Sequence, residues 1–222
     1  MTSVVAATRT VHPDLLVYFA VAGLVALVFH ELAHALVALR LGDHTPKQMG
    51  RLTLDPRQHA DPFGTWVLPA ILLLIIFLAG SPGSFFFAYA KPMPYNPWHT
   101  RRATRDTVLI QAAGPLMNVA LAFVFGALHS VACGAPALGT FLDVCTAVNL
   151  WFAAIHIIPI PPLDCSRAII PFLPYRAREV FVNMEQYAPL LMILVLFILN
   201  FAFVGLVGAL ARGIGGLIPG SC

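Results

Sequence analysis

From Leu15 to Leu41 the chain runs for 27 residues with charges only at Glu31 and Arg40. As a helix such a run measures about 40 Å, enough to cross the hydrocarbon core of a bilayer. The rest of the chain is built alike. Hydrophobic residues make up 59% of the 222 and charged residues 10%, where an ordinary soluble domain is about 25% charged. Water would be left facing large apolar patches; a bilayer solvates them. The sequence therefore predicts an all-α fold, a polytopic membrane helical bundle of five or six spans. It is expected to form one domain over residues 1–222, with a core at 15–175 and a last span at 187–211. The first run is too long for a signal-peptide h-region and is expected to stay in the mature protein.

Further apolar runs cover 66–80, 85–90, 107–132 and 141–158. Ser81, Pro82 and Gly83 interrupt the second, which reads as one kinked span or as a span followed by a re-entrant piece. Between the runs lie polar segments rich in Pro and Gly: 42–65, with Gly50, Pro56, Pro62 and Gly64, and 91–106. These read as structured loops. The net charge of +3 is small, and its basic residues sit between the apolar runs. With five spans, the positive-inside rule places the N-terminus in the cytoplasm of a multi-pass protein of the cell membrane. No basic stripe is interleaved with aromatics, so nucleic acid is not an expected partner; the lipid bilayer is.

Chemistry enters at His30-Glu31-Leu32-Ala33-His34. On a helix, positions i and i+4 share a face, so both imidazoles reach one metal ion. Glu31 lies between them, close enough to hold a metal-bound water, which zinc makes acidic and a carboxylate can deprotonate. Chance also produces such patterns. Here, however, a charge at mid-bilayer costs roughly 2.5–3.5 kcal/mol on insertion scales, so two His and a Glu within an apolar span require a reason. Metal binding supplies it. A catalytic zinc takes three protein ligands and a water, and the helix offers two. Asp164 is the candidate third. It follows Ile157-Ile158-Pro159-Ile160-Pro161-Pro162-Leu163, a Pro-rich break of a kind tolerated at membrane depth where it lines a cavity. A helix-capping Asp in an interfacial loop is the other reading of that position.

Taken together, these elements resemble the site-2 proteases, a family of intramembrane zinc metalloproteases. Its members pair an H-E-x-x-H helix with a later N-x-x-P-x-P-P-L-D-G stretch. Gly114-Pro115-Leu116-Met117-Asn118 is similar to the G-P-x-x-N of the intervening core helix. The segments Arg51 to Gly64 and Ala90 to Pro97 resemble loops of short bacterial members. The resemblance covers about residues 15–175 and implies one zinc per chain, with Asp164 beside His30 and His34 as ligands and Glu31 as general base. It implies transmembrane or membrane-associated protein substrates, cut by a zinc-activated water. Two positions depart from the pattern: His156 stands for the family's Asn and Cys165 for its Gly. A histidine can still donate a hydrogen bond to an oxyanion, so His156 is a candidate catalytic residue. It could instead become a further metal ligand and close the open coordination position.

Other residues have two readings each. Asn118 and Asn149 bond across helices or line the substrate cleft. His59 and Asp61 serve loop hydrogen bonds or form a second metal pair. His129 falls near an interface. Cys133, Cys145, Cys165 and Cys222 form no C-x-x-C pair, which argues against a zinc ribbon or a dithiol redox site. Two functions compete with proteolysis: a non-catalytic membrane protein of the same fold with structural zinc, and a small transporter using the buried His and Glu as an ion path. Glu31 favours the protease, since structural zinc has no need of it, and no repeat-related broken helices mark a transporter.

Overall fold

The computed structural model of the chain describes residues 13–79, 89–132 and 135–195. Their first helix, α1 (Pro13–Arg40), is 28 residues long. Asp14 in its first turn and Arg40 in its last complement the helix dipole. Gly42 ends it with φ of +105°, a left-handed cap that glycine takes without strain. The expected loop 42–65 contains two single-turn helices, α2 (Thr45–Gln48) and α3 (Pro56–His59), each opened by a proline near its start. Asp43 fixes the entry to this loop. Its carboxylate accepts the Thr45 hydroxyl at 2.6 Å and the Asn96 amide at 2.6 Å. Burial pushes its acidity down, but these bonds prevail and hold the carboxyl below its ordinary range.

A π-helical turn (Pro62–Val67) leads into α4 (Leu68–Ala79). Asp61 caps that turn, accepting from the backbone N–H groups of Phe63 and Gly64 at 3.0 and 2.7 Å. The piece expected at 85–90 falls largely outside the described residues. Tyr89 and Ala90 run antiparallel to the end of α3, and Lys91 donates its amide to the His59 carbonyl at 2.8 Å. This bridge is the one β-type pairing among the described residues.

The next two apolar runs form α5 (Ala103–Val131) and α6 (Pro136–His156). Buried Asp106 accepts the Arg102 amide at 2.8 Å and so caps the start of α5. α6 begins at a proline and stops before Pro159 restricts the backbone. Residues 157–163 are not helical, and the Pro161–Pro162 peptide is cis. Two short helices follow, α7 (Asp164–Ile169) and α8 (Tyr175–Met184), and then α9, described over 188–195. The last expected span, 187–211, continues beyond the described residues after 195.

α1, α5 and α6 pack on one another and carry the core. All three are long and apolar enough to cross a membrane. Where they meet, Ala22, Ala26 and Ala122 are fully buried. Small side chains let helix backbones approach closely without a hydrophobic drive between them. Leu27, Cys145, Val148, Phe152 and Ile155 fill the space between, and Leu163 and Met192 close it from the broken segment and α9. α7 packs on α5. This places the start of α7 beside the middle of α1.

Candidate metal centre

Two helices and one helix start meet at His30, His34 and Asp164. His30 and His34 lie on the inner face of α1, each 2% exposed. Their outer ring nitrogens are both committed. Nδ1 of His30 donates to Oδ1 of Asn118 at 2.6 Å, and Nδ1 of His34 donates to the Ile110 carbonyl at 2.6 Å. A neutral imidazole with its proton on Nδ1 carries a lone pair on Nε2. Those two Nε2 atoms face each other at 3.0 Å. Oδ2 of Asp164 lies 3.0 Å from the first and 3.3 Å from the second.

Three electron-rich atoms thus converge in a buried place, and neither Nε2 has a proton to give the other or the carboxylate. Their spacing fits a tetrahedral metal. Bonds of about 2.0–2.1 Å put ligand atoms about 3.3–3.4 Å apart. His30, His34, Glu31, His156 and Asp164 all fall within the two side-chain groups close enough to hold an ion. Glu31 adds an observation of its own: its Oε2 is buried and has no hydrogen-bond partner among the described residues. The donor set, the spacing and this orphaned carboxylate oxygen fit a zinc ion with a water beside it.

The groups behind the imidazoles are fixed in turn. Asn118 donates through Nδ2 to the Ala26 carbonyl at 3.2 Å and to Oδ1 of Asn149 at 3.0 Å. Asn149 donates to the Cys145 carbonyl at 2.8 Å. Asn118 and Asn149 therefore bond across α1, α5 and α6, and neither lines the cavity at the metal centre. Gly114 makes the approach of α5 possible. A Cβ there would lie 2.5 Å from Nε2 of His30 and closer still to Nε2 of His34.

His156 ends α6 with its Nδ1 2.8 Å from Oδ2 of Asp164. Its ring meets that of His30 edge to face, 4.4 Å between centroids. The centre opens into a cavity of about 460 Å³, mostly apolar, bounded by Tyr89, Met93, Leu163 and Met192. Arg167 stands at this cavity and grips Glu185 with two bonds, at 2.9 and 3.0 Å. Burial opposes its charge, but the Glu185 carboxylate holds the guanidinium above its ordinary value.

The remaining expectations have definite places. His59 is fully buried in its loop, its Nε2 2.8 Å from the Thr53 carbonyl. Asp61 caps the π-helical turn, so the two make no metal pair. His129 pairs with Asp143 at 3.0 Å. Cys145 is buried and Cys165 half-buried, both as free thiols; Cys133 and Cys222 lie outside the described residues. Sequence reasoning missed Gln111, which lines the cavity. Its signal was a lone amide in an apolar run, three residues before Gly114. The Arg167–Glu185 pair was missed as well, and a separation of 18 positions gave no local cue.

Comparison with curated proteins places relatives beside this geometry. The chain is similar to Putative zinc metalloprotease YwhC of Bacillus subtilis, 34% identical over 195 residues, 83% of this chain and 82% of that one. It is 33% identical over 195 residues to Putative zinc metalloprotease Rip2 of Mycobacterium tuberculosis, 83% of this chain and 69% of the relative. No family model matches the chain. No solved structure matches it either.

Proposed function

Because this chain belongs to the site-2 protease family, we propose that it is an intramembrane zinc metalloprotease that hydrolyses peptide bonds of transmembrane or membrane-associated proteins. The observation that carries this reading is the convergence of His30 Nε2, His34 Nε2 and Asp164 Oδ2 at 3.0–3.3 Å beside an unpartnered Glu31 Oε2. His30, His34 and Asp164 would hold one zinc per chain. When bound, the ion supplies an acidic water and polarises the scissile carbonyl.

The chain's own groups do the rest. Asn118 and the Ile110 carbonyl orient the two imidazoles so that Nε2 of each faces inward. Glu31 takes the proton of the attacking water and returns it to the leaving amine. His156 is the donor toward the oxygen of the tetrahedral intermediate; in the structure that donor rests on Asp164. The apolar cavity receives the substrate segment and limits water at the scissile bond. The bundle is read as one domain of five or six spans in the cell membrane, with the Pro-rich break 157–163 presenting Asp164 to the metal.

Zinc content of the purified chain tests the ligand set. Wild type should carry one zinc and His34→Ala none, by elemental analysis. Full occupancy in His34→Ala would reject the assignment. The contact between His156 and Asp164 supports one other reading, a closed non-catalytic zinc site with His156 as a fourth ligand, and variants of His156 separate the two.

A further inference from the structure

One polar group in the metal cavity has no task in this mechanism. Gln111 on α5 is 4% exposed and lines the same cavity as Glu31, His34, His156 and Asp164. Its side-chain amide meets no hydrogen-bond partner among the described residues. Unlike Oε2 of Glu31, which is buried, that amide keeps some exposure toward the cavity. The backbone beside it is in a similar state. Pro115, four residues on within α5, has no N–H to give the Gln111 carbonyl.

The helix register adds direction. Residues 111, 114 and 118 lie on one face of α5. Gly114 abuts both imidazoles, and Asn118 holds His30. Gln111 is therefore the next group on the stripe that faces the metal centre, one turn away. A buried amide without a partner lowers stability until something pairs with it. The ligand it suits is defined by its chemistry. A primary amide offers an acceptor and two donors and carries no charge. That set matches a main-chain peptide unit, whose C=O and N–H it can meet together. A transmembrane segment that exposes a peptide bond gives up helical hydrogen bonds, and in a cavity poor in water its freed groups need partners.

We propose that Gln111 is a substrate-binding residue whose amide pairs with a main-chain peptide group of the segment laid in the cavity. It rests on the protease reading above and adds to it a residue that recognises backbone rather than side chain. Substrate choice at this point then follows the ease of unwinding a helix, not the identity of one residue.

The test uses the full chain in nanodiscs, in a Glu31→Gln background so that bound peptide is not consumed. The probe is a fluorescein-labelled apolar peptide of about 20 residues with Gly-Pro at its centre. Adding Gln111→Leu should raise the peptide Kd about tenfold, the loss of one or two neutral hydrogen bonds. Zinc content should stay at one per chain, and Tm should hold or rise because the unpaired amide is gone. Gln111→Met, closer in shape, should behave alike if the Leu variant folds poorly. Unchanged peptide affinity in a folded variant would overturn the proposal. So would a fall in Tm or in zinc content that accompanies the lost affinity, since either marks a structural glutamine. Affinity is read here without turnover, so failure of this proposal is distinct from failure of the protease reading, which cleavage by wild type decides.

Discussion

At the scale of single residues, the centre is a problem of lone pairs. Each imidazole has spent its Nδ1 proton on α5, so each Nε2 faces the other and the Asp164 carboxylate as an acceptor. Buried acceptors without a donor are costly, about 1–3 kcal/mol apiece, and a cation bound by the two Nε2 atoms and the carboxylate removes that cost. His156 stands at the edge of this cluster, 2.8 Å from Asp164, and its role separates a catalytic site from a closed one. His156→Asn keeps a donor and should retain activity. His156→Ala removes the donor and should lower turnover about 10²–10³-fold, as expected of an oxyanion contact. Zinc should stay bound in both. Loss of zinc from the Ala variant would mark His156 as a ligand and favour the non-catalytic reading. The sequence made His30, Glu31 and His34 legible because i, i+4 spacing is local. It named Asp164 because charge is rare beside a Pro-rich break. It could not show the bond from His156 to Asp164, since the seven residues of broken backbone between them give no register to count along. Gln111 was equally silent: an uncharged amide in a span invites the bland reading of a bond across helices.

Elements matter because two of them hold the third. α5 supplies a stripe of Ile110, Gln111, Gly114 and Asn118 against the metal-binding turn of α1, and glycine is what admits the imidazoles there. Gly114→Ala should therefore displace both rings. The expected result is a folded chain, since helix propensity rises, with zinc affinity lowered at least tenfold in a chelator competition. Wild-type affinity in that variant would show that α5 does not set the geometry. Helix existence was legible in the described spans, because the apolar runs are long and α1 and α6 end at a glycine cap and before a proline. α1, α5 and α6 extend a few residues past or short of the apolar runs, as caps such as Asp106 lie in polar sequence. The turns within 42–65 were less so. Asp55 and Asp61 open single turns there that no periodicity announces.

For the whole molecule, three helices among the described residues are long enough to span a bilayer, and the proposed reaction at their centre needs both metal and water. A bilayer excludes water, so the arrangement requires a cavity, and the break at 157–163 together with 89–93 and α9 provides its walls. The span count was never fixed by hydropathy, since 81–90 can be read as part of one kinked span or as a separate piece. The direct test of the account is the cleavage rate of a transmembrane reporter in proteoliposomes, wild type against Glu31→Gln, both carrying one zinc. The amide can still orient water but cannot accept its proton. The account predicts measurable cleavage by the wild type and nearly none by the variant at equal zinc content. Cleavage by Glu31→Gln at the wild-type rate, or none by a zinc-loaded wild type, would contradict it.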